Sequence, residues 1–177
     1  EGLATSFPQA EIVLCPIADG GDGTLGILVQ ALQGEIIHSK VTGALGQPID
    51  AVWGVLPDQT GVIELASVCG MATLQGRVDP LSATTYGVGE LMRRALDRDI
   101  RRFLICLGGS ATNDAGMGLI EALGIRYLDV EGNPLPRGGG ALGRLHRMDV
   151  SGLDPRLAQA TITVACDVTN PLLGPHG

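Results

Sequence analysis

Residues 101–124 read RRFLICLGGSATNDAGMGLIEALG. An apolar run of Phe, Leu and Ile stops at two glycines, a loop rich in hydroxyl and acid side chains follows, and apolar residues then resume as far as Gly124. That order is strand, glycine-rich loop, helix, with the helix expected to open at the loop, run to Leu123 and be capped by Gly124. It is the repeating unit of α/β folds with a mainly parallel sheet.

The same order recurs upstream. EIVLCPIA at 11–18 is a short run rich in β-branched residues that gives way at Asp19 to DGGDGT. From Asp22 to Gln33, Leu25, Leu28, Val29 and Leu32 fall at i, i+3, i+4 and i+7, and Gly34 follows as a stop. Between the two units, IIHSKV, IDAVWGV and GVIELA alternate with turn-forming TGALGQP and LPDQT, which predicts an antiparallel meander over 36–66. A second helix is expected from Thr85 to Leu96, its buried face carrying Val88, Leu91, Met92, Ala95 and Leu96. Downstream, IRYLDV and TITVAC at 161–166 read as strands, with a helical turn near Pro155 between them. The expected fold is therefore α/β. Two portions would flank a cleft, one built of strand-loop-helix units on a mainly parallel sheet and the other smaller and β-rich. The proposed division assigns 1–38 to a first α/β domain lacking its N-terminal strand. It assigns 39–177 to a second one, with the meander and the glycine-rich loop, whose C-terminal continuation is missing.

Composition narrows the function. A hydrophobic content of 45% with only 3% aromatics and 27 glycines suits an aliphatic core cut by tight turns. Twelve Lys and Arg against 19 Asp and Glu leave a formal charge of −7, which repels a nucleic-acid backbone. No stretch approaches the roughly 18 apolar residues of a membrane span, and no basic-then-apolar leader opens the chain, so a cytoplasmic protein is expected. Cys15, Cys69, Cys106 and Cys166 are far apart without a C-x-x-C pair and are expected as reduced core residues. Both ends read as cuts through a longer protein.

In parallel α/β sheets ligands gather beyond the carboxyl ends of strands, which singles out three loops. In the first, Asp19 and Asp22 lie three residues apart among glycines and suit Mg²⁺, although Asp22 could equally be a helix N-cap. The second runs through Gly108, Gly109, Ser110, Ala111, Thr112, Asn113 and Asp114. Its glycines would admit a phosphate to the backbone and its hydroxyls and helix-start amides would hold it. An ordinary capped turn reads the same residues as well, and no Walker lysine is present. In the third, Asp167 sits at a strand end with Thr169 and Asn170 beside it, placed to orient or deprotonate a substrate hydroxyl or simply to close an Asx turn. Arg137, before Gly138, Gly139 and Gly140, could meet a carboxylate or phosphate or lie exposed in its loop. His38, His146 and His176 lack partners at metal-ligand spacing and read as solvated.

ADGGDGT (18–24), LGGSATNDAGMG (107–118), GGGAL (138–142), SGLDPRL (151–157) and ACDVTNPLLG (165–174), in that order, resemble the bacterial glycerate kinase family (type 1). The likeness runs from about Phe7 to the end of the chain. It implies two α/β domains around a cleft and transfer of the ATP γ-phosphoryl group to D-glycerate, usually giving 2-phosphoglycerate. ATP and Mg²⁺ are the implied cofactors, and a homo-oligomer is compatible with it. The chain departs from the family pattern at Asp22, where Glu is usual, and at Ala115, where a second glycine is usual. The family's opening PDS-F/Y-K segment and its later TGEG segment have no counterpart in these 177 residues. Two other readings compete. A kinase of the galactokinase and homoserine kinase type shares a glycine-serine loop but does not explain DGGDGT or DVTNPL. A non-catalytic α/β module could hold a nucleotide or organic acid without turnover.

Overall fold

The computed structural model describes residues 2–169, 171, 174 and 175. A short exposed helix, α1 (Gly2–Ser6), precedes a long irregular stretch, and α2 (Thr24–Leu32) follows the first glycine-rich loop. The expected meander is present: β1 (Glu35–Thr42) pairs antiparallel with β2 (Pro48–Val55) along its whole length, and β2 pairs antiparallel with β3 (Thr60–Glu64). A short helix, α3 (Ala66–Cys69), and the long α4 (Tyr86–Asp97) then carry the chain to β4 (Arg102–Cys106), which lies parallel to β3. After α5 (Met117–Ala122) come β5 (Arg126–Leu128) and β6 (Arg147–Asp149), which form a separate antiparallel pair. A 3₁₀ turn at Pro155–Gln159, capped by Asp154 accepting from the Arg156 amide, leads to β7 (Thr161–Ala165). β7 pairs parallel with β4, so the main sheet has the order β1-β2-β3-β4-β7.

The class is mixed α/β, with a five-stranded sheet and a two-stranded one. The meander continues the main sheet through the β3–β4 ladder and does not form a portion of its own. The division expected at 38/39 falls inside β1, within an unbroken ladder to β2.

Side-chain alternation along β3 and β4 builds both faces of this sheet. Ile63, Phe103 and Ile105 face α4, whose Val88, Leu91, Met92, Ala95 and Leu96 are all buried against them and Trp53. Val62 and Cys106 face the other way and pack with Leu25 and Val29 of α2 and with Leu56. The 3.6-residue spacing read in α4 thus corresponds to its buried face.

Three expectations change. Residues 11–18 form no strand, and Val13, Leu14 and Ile17 are 80%, 86% and 85% exposed. An apolar β-branched run becomes a strand only when another strand satisfies its backbone, and none of the described residues pairs with it. The helix after GGSATND begins only at Met117, because Ala115 (φ 53°) and Gly116 (φ 74°) are left-handed and break the helical path. Cys69 and Cys106 are buried as expected, whereas Cys15 and Cys166 are exposed, because the chain on either side of them is exposed too.

Candidate functional site

The parallel strands β4 and β7 end side by side, and their loops are joined by the Leu107 amide donating to the Ala165 carbonyl at 3.1 Å. The Gly108 amide donates to the Gly20 carbonyl at 2.9 Å, which brings DGGDGT over the same strand ends. Within that loop Asp19 Oδ1 accepts from the Gly21 amide at 2.9 Å and Thr24 Oγ1 accepts from the Gly20 amide at 3.1 Å. The three loops meet at a cleft of about 610 Å³, lined by Asp19, Asp22, Gly108, Gly109, Ser110 and Asp167 among others.

Glu64 fixes the first loop from below. It ends β3 two residues beyond Val62 and so faces α2, and its buried carboxylate accepts from the Gly23 amide at 3.1 Å and the Leu25 amide at 2.9 Å. A carboxylate against the first amides of a helix satisfies donors that have no intrahelical partner and complements the helix dipole. Gly109 has a related use. A Cβ there would lie 2.8 Å from Asp22 Oδ2, so the bare backbone leaves room for the Asp22 carboxylate.

The second loop differs from the expected anion cradle at a helix start. Three of its amides serve the fold: Gly108 bonds Gly20, Ala111 bonds the Cys69 carbonyl at 2.9 Å, and Thr112 bonds Ser110 Oγ at 3.3 Å. Ser110 Oγ and Thr112 Oγ1 are 3.0 Å apart and exposed enough to offer hydroxyls, but neither stands at a helix N-terminus, since α5 opens five residues beyond Thr112. Asp114 is turned inward and only 1% exposed. Its carboxylate accepts from the amides of Thr85 (2.9 Å), Gly116 (3.2 Å) and Gly118 (3.0 Å) and from the hydroxyls of Thr84 and Thr85. That charge ties the start of α4 to the start of α5 and is spent inside the fold.

Arg137 also lies elsewhere. It makes a two-pronged ion pair with Glu121, 3.0 Å at its closest, and its guanidinium stacks 3.2 Å over the Tyr86 ring. It is neither a free loop arginine nor part of the cleft lining. The glycines beside it allow close packing, since a Cβ on Gly139 would meet the Asn113 side chain at 2.5 Å. Thr169 is exposed and absent from the cleft lining, and Asn170 and His176 lie outside the described residues. His38 and His146 are exposed, as expected.

Burial governs the thiols near the site. It pushes the Cys69 thiol up to about 12, helped by the charge of Asp114 and opposed by a hydrogen bond from Thr112. Burial and the Glu64 charge raise Cys106 to about 11. Neither is an activated nucleophile.

Among the described residues no three His, Cys, Asp or Glu side chains converge as a ready-made metal cage. Mg²⁺ seldom needs one, because it is usually held by one or two carboxylates together with phosphate oxygens and water. Asp19 and Asp22, on one loop facing one cleft, are a donor set of that kind.

Relatives of known name are similar to the chain over its whole length. The chain is 45% identical over 179 residues to glycerate 2-kinase of Escherichia coli strain K12, covering 100% of this chain and 47% of that protein. It is 49% identical over 178 residues to glycerate kinase of Bacillus subtilis strain 168, covering 99% and 47%. A crystal structure from Salmonella typhimurium LT2, its protein provisionally named glycerate kinase 2, superposes with a TM-score of 0.86 at 44% identity, over 99% of this chain and 48% of that one. The chain thus spans about half the length of the relatives it matches. The sequence model of the glycerate kinase family matches residues 1–177, and the chain belongs to the glycerate kinase family.

Proposed function

We propose that the protein carrying this chain is a cytoplasmic kinase that transfers the γ-phosphoryl group of ATP to D-glycerate and releases 2-phosphoglycerate. The observation that carries this reading is the shared cleft. Its lining brings together the carboxylates Asp19 and Asp22, the paired glycines Gly108 and Gly109, the hydroxyl of Ser110, and Asp167, which follows the end of β7 by two residues. Phosphoryl transfer asks little of a protein beyond positioning, charge neutralisation and an oriented nucleophile.

Asp19 and Asp22 would hold Mg²⁺, which when bound neutralises charge on the donor phosphates. Ser110, in the cleft lining, donates a hydroxyl hydrogen bond to a phosphate oxygen. Asp167 is exposed to the cleft, where its carboxylate accepts the hydrogen of the glycerate hydroxyl and aims the oxygen lone pair at phosphorus.

The test is ADP release by the full-length protein, which should require both ATP and D-glycerate, with the position of the new phosphate read by ³¹P NMR. Asp167→Asn keeps the size and removes the basicity, so kcat should fall by about 10²- to 10⁴-fold with ATP binding retained. An unchanged kcat with a raised Mg²⁺ requirement would move Asp167 to the metal side. Turnover of homoserine or a sugar in place of glycerate would overturn the substrate assignment.

A further inference from the structure

A second concavity of about 650 Å³ opens beside the polar cleft and shares Leu107, Ser110 and Val168 with it. Its character is different. Leu65, Leu107, Ala115, Leu119 and Val168 supply an aliphatic lining, and Thr112 and Asn113 bring a hydroxyl and an amide to it. The Thr85 hydroxyl is already committed to Asp114 and to the Leu119 amide, so it adds little polarity.

We propose that this aliphatic pocket receives the purine ring of the phosphoryl donor, with the polar cleft keeping the triphosphate and the acceptor. The inference rests on the kinase reading given above. A three-carbon hydroxy acid has no apolar portion to occupy such a pocket, whereas a nucleoside triphosphate is charged at one end and carries a flat, weakly polar ring at the other. A site for it needs an aliphatic compartment continuous with a polar one, and the shared Leu107, Ser110 and Val168 supply that continuity. The Thr112 hydroxyl and the Asn113 amide supply the few polar groups that fix the orientation of a ring.

The full-length protein with ¹³C-labelled Leu and Val methyls tests this directly. ATP should shift the methyl signals of Leu119 and Val168 through the ring current of the base, and inorganic tripolyphosphate should leave Leu119 unmoved. Ala115→His narrows the pocket at a left-handed position, a conformation that His adopts more readily than most residues. It should raise the Kd for ATP about tenfold and leave that for tripolyphosphate unchanged. Should the variant fail to fold, the methyl measurement on the unaltered protein still decides. ATP binding with silent Leu119 methyls, as when another segment of the full-length chain fills the pocket, would overturn the inference and leave the kinase reading standing. No ATP binding at all would end both.

Discussion

The amide of Gly108 donates to the carbonyl of Gly20 at 2.9 Å, joining the loop after β4 to the loop before α2 by their backbones. A Cβ on Gly108 would stand 2.5 Å from the Cα of Gly21 and 2.8 Å from its nitrogen. Gly108→Ala therefore forces the two cleft walls apart. A displacement on the order of 1 Å in a phosphoryl-transfer site costs about a hundredfold, and kcat/KM of the full-length Gly108→Ala enzyme should fall by that factor while it remains folded by circular dichroism.

Asp114 and Asp167 are both loop acids, but the first is buried among five donors and the second is exposed. Asp114→Asn puts an amide donor against backbone N–H groups. It should lower the unfolding free energy by about 2–4 kcal/mol in urea titration. Asp167→Asn should stay within about 0.5 kcal/mol of the parent.

Ala115 holds φ 53°, a backbone region that costs an L-residue about 1 kcal/mol or more. Ala115→Gly removes that strain and gives back part of it through greater freedom of the unfolded chain. The expected outcome is a net gain of about 0.5–1 kcal/mol, read as a rise in Tm.

The thiols of Cys69 and Cys106 are held neutral well above their ordinary value of 9.0. Their folded values are raised, so between pH 9 and about 12 the unfolded chain sheds thiol protons that the folded chain keeps, and stability falls as pH rises through that window. A Cys69→Ala protein should lose stability less steeply there. At pH 8, Ellman's reagent should react quickly with the exposed Cys15 and Cys166 and slowly with the buried pair.

The local signals in this chain translated well into structure. The period of Val88, Leu91, Met92, Ala95 and Leu96 gave the buried face of α4, and the Gly, Pro and Asp clusters marked both turns of the meander. The candidate loops were legible as glycine and carboxylate clusters, a local property, and two of the three follow strand ends, those of β4 and β7. What sequence could not deliver was non-local. Glu64 closes an apolar strand with no local sign of its role, because the Gly23 and Leu25 amides that it binds lie 41 and 39 residues away. Asp114 read as a ligand because nothing nearby announces Thr84 and Thr85 as its partners. EIVLCPIA has the composition of a strand, but pairing is a relationship between two segments and cannot be read from one.

The two rims of the five-stranded sheet are unequal. β1 closes one rim with Glu35, His38 and Lys40 in its run, charges and polar groups that discourage a further strand from adding on. Among the described residues β7 closes the other with Thr-Ile-Thr-Val-Ala, uncharged and rich in β-branched residues, its Ile162 and Val164 each 50% exposed. A bare, neutral, β-prone rim is a template for strand addition, and a polypeptide that leaves it uncovered is disposed to self-assemble edge to edge. Self-assembly of such a polypeptide rises with its concentration, and Thr163→Lys would place a gatekeeper charge on that rim.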